Sequence, residues 1–466
     1  MLVLHTSDWH FGRTLHRHDL SPAHEAFVDH LVATVRSERV DLVVVSGDVH
    51  DRAIPSIGAI RLFTDTLRRI RDAGAAVVAI SGNHDGPDRL GDKAALLDPR
   101  IQIRTDPAGV AEPVVHTDSH GLVRVYAVPY LEPAGVLERL PADPGAGASG
   151  EGGSGEGAAG ARPAAGGAPG ELDFGDWGAQ DRIDGVDEAG GATAGVDGPP
   201  PRPTHAAVLG RAMRAVRADL ARHPGRSIVL AHAWVTSGAP SASERAITVG
   251  GTGSVPESLF DGITYTALGH LHRPQAPREQ LRYSGSPLAF SFSEATDRKR
   301  MLLVELDATG LGRVEEVPLP AHRELRELRG TLDELMTGRA HADAESALVS
   351  AVLTDAVRPL DAMATLRRRF PGTVLLTHEP DLAGWEAAAP RAGRGGDDLS
   401  VAEDFVQEVR AGAAASAAER RWLALALDAA RLADEAPDLA PDSAESGARS
   451  GAAGGAGGAG GAGEAA

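Results

Sequence analysis

The chain has 466 residues, 42% of them hydrophobic, so it can bury a sizeable core, and at ~150 residues per domain its length allows about three domains. It contains no cysteine, which excludes disulfides and thiolate metal sites and leaves His, Asp, Glu and Asn to hold any ion. A formal net charge of -19 argues against a broadly cationic nucleic-acid surface, so a polyphosphate partner would have to be met by local arginines, bound divalent ions or a partner subunit.

The first apolar run, Met1 to Leu4, is too short for a signal peptide, and no stretch is long enough to span a membrane, so a soluble cytoplasmic protein is expected. From Met1 to about Leu140 apolar runs alternate with amphipathic segments: Leu2–Leu4, His24–Val35, Val40–Val45, Ile57–Ile70 and Ala76–Ile80. This β-α-β-α-β order predicts a right-handed, mostly parallel sheet. On the second helix Ile60, Phe63, Leu67 and Ile70 share a face, which reads as core packing before dimer contact. Leu122–Tyr130 is a further predicted strand that closes a first part at residue 142. Residues 143–203 are Gly, Ala, Pro, Ser and acid, with a small island at Phe174 and Trp177, and are expected to be a disordered insertion.

Order resumes in a second part, 204–320, with a predicted helix His205–Arg222, a strand Ser227–Ala231 ending in His232, and a strand Ile263–Leu268 ending in Gly269-His270-Leu271-His272. Tyr283–Phe292 and Met301–Leu306 are predicted strands of a second sheet, which would make a β-sandwich with helices outside. Residues 321–390 read as a small α/β domain, with an arginine-rich segment His322–Arg329, helices near Asp343–Thr354 and Pro359–Phe370, and a strand Thr373–Thr377. A Gly-rich hinge, Arg391–Asp398, precedes a helical pair over 398–436. In the first of these helices Ser400 and Glu403 suggest a capping box, and Val401, Phe405 and Val409 form a stripe. The second, about Ala417–Leu432, carries Trp422, Leu423, Leu425, Leu427 and Leu432 around more than one face, more than two short helices can cover on each other. The tail, 437–466, is Gly/Ala-rich and expected to be disordered.

The chemistry is concentrated just after predicted strands. Asp8 and His10 follow the first, Asp48 follows the Leu42–Val45 run through Ser46 and Gly47, Asn83 follows the third, and His232, His270 and His272 follow the two later ones. Singly, each has an ordinary explanation as a cap, a turn residue or a surface histidine. Jointly, five strand ends are expected to converge on one edge of a sheet, where ligands of open α/β folds sit. These are hard or borderline donors suited to manganese, iron or zinc. Seven exceed the need of one ion, whereas two ions about 3.5 to 4 Å apart and bridged by one carboxylate, Asp48, would use them to clamp a phosphoryl displacement. His84, beside Asn83 but assigned to no ion, is expected to stabilise charge and protonate the leaving oxygen. Asp51 and Asp85 are expected behind the ligands, orienting histidines.

The order D-x-H, G-D-x-x-D, G-N-H-D, a lone His and G-H-x-H, here Asp8/His10, Gly47/Asp48/Asp51, Gly82–Asp85, His232 and His270/His272, resembles the calcineurin-like metallophosphoesterase superfamily. T-S-D-W-H-F-G-R (Thr6–Arg13), D-R-A-I-P-S (Asp51–Ser56), A-L-G-H-L-H-R-P-Q (Ala267–Gln275) and Y-S-G-S-P-L-A-F-S-F-S-E (Tyr283–Glu294) are similar to SbcD-type nucleases, the nuclease subunits of bacterial SbcCD exonucleases. The insertion is not part of that family's core, and His50 stands where an aromatic is more usual. The resemblance implies an α/β fold with a metallophosphoesterase-type β-sandwich flanked by helices, a small α/β DNA-capping domain and a C-terminal helical pair. It implies a two-ion, manganese-dependent DNA nuclease that trims double-stranded ends 3' to 5' and cuts single strands or hairpins. Asp8, His10 and His272 would hold one ion, Asn83, His232 and His270 the other, with Asp48 bridging and His84 catalytic. The helical pair would dock on an SbcC ATPase subunit, two copies of each subunit forming a heterotetramer. Arg13, Arg17, Arg52 and Arg273 flank the motifs and are candidates for DNA phosphate contacts. Two other readings use the same residues: a phosphodiesterase or phosphatase of small nucleotides, and a non-catalytic DNA-end tether.

Overall fold

The computed structural model describes residues 1–142, 203–244, 253–380, 397–410 and 412–434. The expected insertion (apart from Pro203), most of the Gly-rich hinge and the tail lie outside them. The elements that position the site are, in chain order, β1 (Leu2–Thr6), α1 (Ser21–Glu38), β2 (Leu42–Ser46), α2 (Ile57–Asp72), β3 (Ala76–Ile80), β4 (Ile101–Arg104), β5 (Val114–Asp118), β6 (Gly121–Val128), α3 (His205–Arg222), β7 (Arg226–His232), β8 (Tyr265–Gly269), β9 (Gln275–Arg278), β10 (Leu281–Tyr283), β11 (Arg300–Asp307) and β12 (Gly310–Pro318). A small α/β element follows, made of β13 (Leu325–Gly330), α4 (Leu332–Thr337), β14 (Leu348–Leu353), α5 (Ala362–Arg369) and β15 (Thr373–His378), and then α6 (Asp398–Val409) and α7 (Ala417–Asp434). The residues fall into two compact units, Met1–Val352 with Asp361–Thr377, and Leu353–Leu360 with those from His378 onward.

In the first unit two six-stranded sheets, ordered β12-β11-β1-β2-β3-β4 and β9-β10-β8-β7-β6-β5, bury a shared core between them. The apolar run of β2 is continuous because both its faces are buried. Leu42 and Val44 point to the inter-sheet core with Ile228, Leu230 and Tyr265, whereas Val43 and Val45 point to the layer under α1 and α2 with Phe27, Leu31 and Phe63. On α2 Phe63, Leu67 and Ile70 are buried, but Ile60 is 41% exposed and lies outside the expected stripe. The helix starts where Ser56 accepts a hydrogen bond from the Ala59 amide. On the outer face of the second sheet α3 covers a separate core, and Tyr126 donates to Asp219 of that helix at 2.8 Å.

Three expectations about elements are corrected. Met1–Thr6 pairs with β11, so Met301–Leu306 belongs to the first sheet, antiparallel at its parallel core, and not to the second. Tyr283–Phe292 is strand only to Tyr283, because Gly285 turns the chain at φ +77° and Pro287 cannot donate to a ladder. Leu348–Leu353 is a fully buried strand between β13 and β15 and not the end of a helix from Asp343; a short run buried on both faces has no period to tell it from a helix. Leu325 and Leu348 of the small element pack with Leu15, Leu20 and Phe290.

In the second unit α6 and α7 are tied by Arg420–Glu403, Arg410–Glu419 and Arg431–Asp398 ion pairs, each 2.7 Å. Ser400 does not cap α6. Its amide donates to Asp397 Oδ1 and Glu403 is drawn to Arg420, while the reciprocal capping bonds form one helix later, at Ser416 and Glu419. Among the described residues no helix is long and apolar enough to cross a membrane.

Candidate metal centre

The expected convergence occurs across two sheets and not along one. β1, β2 and β3 of the first sheet and β7 and β8 of the second end side by side, and their loops are fastened to each other. The Asp8, His10 and Phe11 amides donate to the Gly47, Asp48 and Val49 carbonyls at 3.0, 2.9 and 3.0 Å, laying the D-x-H loop along the G-D loop. Ser46 Oγ donates to the Ala267 carbonyl at 2.9 Å, joining β2 to β8 across the layer. The approach is backbone to backbone: a Cβ on Gly269 would collide with the Ser46 carbonyl oxygen, and one on Gly82 with the Asp48 carboxylate. Of the eight non-glycine residues with positive φ among those described, four are candidate ligands: Asp8 (54°), His10 (46°), Asp48 (48°) and His270 (102°). Such backbones cost of order 1–3 kcal/mol each and persist where the surroundings force them, which at this density marks a functional site.

Asp8, His10, Asp48, His232, His270 and His272 are all buried, and the structure brings all seven expected donors together. Asp8, His10 and His272 each present a donor atom within 4.8 Å of the others, as do Asp8, Asp48 and His232. Asn83 Oδ1 lies 2.9 Å from His232 Nε2 and 3.2 Å from His270 Nδ1. Asp48 spans the two groups, its Oδ2 lying 3.5 Å from His10 Nε2 and 3.6 Å from His232 Nε2.

These spacings fit divalent ions. Donors about 2.1 Å from one ion and at right angles to each other are about 3 Å apart. The Nε2 atoms of His10 and His272 are 3.1 Å apart, close to that separation, as are the Asn83 contacts. His232 Nδ1 donates to the Ser46 carbonyl at 2.9 Å, so its Nε2 offers a lone pair toward the Asn83 oxygen, a contact that a cation resolves. Burial, and then the neighbouring imidazoles, hold His10 and His270 well below the usual histidine range, and burial lowers His232 to about 4, so the rings stay neutral and ready to ligate. Burial and the Asp48 charge push the Asp8 carboxyl up, and a divalent ion between the two carboxylates would oppose that shift.

His84 differs from the ligands. Its amide donates to Asp48 Oδ1 and its Nδ1 to the Asp51 carbonyl, both at 2.9 Å, and one ring nitrogen lies within 4.8 Å of donor atoms of His10 and Asp48. Asp51 Oδ1 is 3.5 Å from His10 Nδ1 and 3.2 Å from Arg13. Asp85 orients no ligand histidine. Its carboxylate accepts from the Val49, His50 and Gly82 amides at 2.9–3.0 Å, fixing the two loops, and the nearest ring is that of His50 at 3.5 Å. Arg13 is anchored to Asp51 and to the Ser243 carbonyl, and Arg273 to Asp297, whereas Arg52 is exposed and Arg17 lines a separate groove. Sequence reasoning missed Ser243, Glu244, Glu294 and Lys299, which surround His272; the only signal was a glutamate ending the apolar and serine-rich stretch Tyr283–Glu294.

Residues 1–131 match the calcineurin-like phosphoesterase family. That match contains Asp8, His10, Asp48, Asn83 and His84, and the fold carries His232, His270 and His272 to the same place from beyond it. The phosphoesterase match and the donor set together support a hydrolase with a divalent-metal site. Among solved structures, the crystal structure of TT1561 of Thermus thermophilus is similar at 13% identity, over 68% of this chain and 99% of that one, with a TM-score of 0.35.

Proposed function

We propose that this chain is a manganese-dependent DNA nuclease of the SbcD type, a 3'-5' double-strand exonuclease and single-strand or hairpin endonuclease that works with an SbcC-type ATPase in DNA end processing, repair and recombination. The observation that carries the reading is Asp48 lying between two groups of donors, three buried histidines, His10, His272 and His232, among them, with His84 beside it. Asp8, His10 and His272 would hold one ion, Asn83, His232 and His270 the other, with Asp48 shared. Bound divalent ions supply Lewis acidity for attack of water at phosphorus. Asp8 and Asp48 balance that positive charge, and the buried walls exclude bulk water. His84, its Nδ1–H committed to the Asp51 carbonyl, would meet charge on the phosphoryl group and, carrying a second proton on Nε2, would give that proton to the leaving oxygen.

Two further features support DNA over a small nucleotide. His16, Arg17, His18, Arg323 and Arg367 line a groove of about 540 Å³, a local basic surface on an acidic chain, between the loop after the D-x-H motif and the part of the proposed capping element that carries Arg323, Arg367 and Thr373. Phe405 and Trp422 on α6 and α7 are 65% and 72% exposed, as befits a module that docks on the ATPase subunit.

The test is the purified protein with manganese on hairpin DNA and on bis-p-nitrophenyl phosphate, with and without an SbcC-type subunit. Cleavage of both, with ATP-stimulated hairpin cutting in the complex, supports the nuclease. Turnover of the small diester alone points to a small-nucleotide phosphodiesterase, and DNA binding without turnover of either to an end tether.

A further inference from the structure

His272 is held at its amide, its carbonyl and its ring. Its amide donates to Glu244 Oε1 at 2.7 Å, and its carbonyl accepts from Lys299 Nζ at 2.9 Å and from the Ser286 amide at 3.1 Å. Its ring Nδ1 meets Ser243 Oγ, and that hydroxyl donates to Glu294 Oε1. Glu294 accepts on its other oxygen from Lys299 at 2.6 Å, and Lys299 completes its three donors on Ser286 Oγ at 3.0 Å. Glu294 is 0% exposed and Lys299 8%, so this charged pair is kept in the interior directly behind a ligand ring. By contrast, the rings of His232 and His84 are backed by backbone carbonyls.

We propose that Glu294 is a positioning residue that acts through Ser243 to hold His272 as a metal ligand, and that Lys299 fixes Glu294 in place. The direction of the bonds decides the tautomer. Because Ser243 gives its only proton to Glu294, the oxygen must accept from His272, which places the proton on Nδ1 and leaves Nε2 to face the centre. A carboxylate behind an imidazole also raises its basicity as a ligand. The buried carboxylate would be costly alone, and Lys299 offsets that cost while also holding the His272 carbonyl, so ring and backbone are set by one pair. Lys299 stands immediately before β11 of the first sheet, whereas His272 follows β8 of the second, so the pair also ties a ligand of one sheet to the frame of the other.

The proposal rests on reading the cluster as a two-ion centre and not on which phosphodiester is cleaved. It is tested without substrate, by calorimetric titration of the metal-free full chain with Mn2+ and by thermal melts of the same samples. Wild type is expected to bind two ions. Glu294→Gln and Ser243→Ala are expected to weaken one of them about 10–100-fold and leave the other unchanged. Ser243→Thr, which keeps the hydroxyl, should retain wild-type affinity. Should Glu294→Gln fail to fold, Ser243→Ala carries the test, because Ser243 lies on a partly exposed loop and leaves the Glu294–Lys299 pair intact. Lowered melting temperatures with both ions bound at wild-type affinity would overturn the proposal and reduce the pair to a core ion pair. A wild-type chain that binds no ion would instead overturn the metal-centre reading on which it rests.

Discussion

Asp48 Oδ2 lies 3.5 Å from His10 Nε2, and the same oxygen lies 3.6 Å from His232 Nε2. His10 follows β1 of the first sheet and His232 ends β7 of the second, so one buried carboxylate oxygen serves donors from both layers. Asp48→Ala is therefore expected to lose both ions, whereas His232→Ala should lose one. Metal content per chain after gel filtration reads the difference, and an Asp48→Ala variant that retains two ions would place the bridge elsewhere.

His84→Ala should behave in the opposite way. Its side chain is anchored to the Asp51 carbonyl and is not needed to complete either donor group, so both ions should remain while turnover falls about 10²–10⁴-fold, the usual worth of a general acid. The fall should appear in kcat more than in KM. Loss of metal in this variant would make His84 a ligand instead.

Gly269→Ala should damage the site without touching a ligand side chain. The added methyl meets the Ser46 carbonyl oxygen, and backbone cannot yield as a flexible side chain can, so the two sheets must part where their ends meet. A destabilisation of about 1–3 kcal/mol is expected, together with weaker metal binding. Urea melts and manganese titration check it; a variant unchanged in both would show that the sheets have slack there.

Acid should weaken the metal-free protein through its buried histidines. Burial lowers His5 to about 3 and His24 to about 4, against about 6.5 in the unfolded chain. Between those values the unfolded state binds more protons than the native state. Stability then falls as pH drops from about 6.5 toward 4, by up to about 1.4 kcal/mol per pH unit for each ring. Urea midpoints at pH 7 and pH 4.5 measure this. His5→Gln, which cannot titrate, should flatten the dependence; an identical slope in the variant would remove His5 from the account.

Phe405→Ser with Trp422→Ser should leave the melting temperature nearly unchanged, since both side chains are exposed and surface changes are usually worth less than about 0.5 kcal/mol. The same double variant should lose co-purification with an SbcC-type ATPase. Retained binding would move the docking surface elsewhere, and a large loss of stability would show these residues to be packed.

The local code was legible wherever a residue's role depends on its own strand and the turn after it. The runs before Asp8, Asp48 and Asn83 are strands because they alternate two buried faces, and the serine that ends each, followed by glycine at Gly47 and Gly82, marks a loop at a sheet edge. The seven candidate donors and His84 could be named from strand ends of that kind, and the helix His205–Arg222 is expected with the bounds it takes, although its Thr204 cap shows only in the fold. What the sequence could not determine was set by pairing over hundreds of residues. Met301–Leu306 reads as a strand in any sheet, and only its antiparallel fit beside β1 put it in the first. Leu348–Leu353 carries no period because both its faces are covered by other elements. Asp85 has the composition of a histidine partner, yet three amides of folded loops claim its oxygens first. Glu294 and Lys299 reach His272 only because a sheet edge, a turn and a loop from distant parts of the chain close over the same ring. Spacing along the chain can place donors at strand ends, but which carboxylate stands behind which imidazole depends on how two sheets pack, and that is a property of the folded whole.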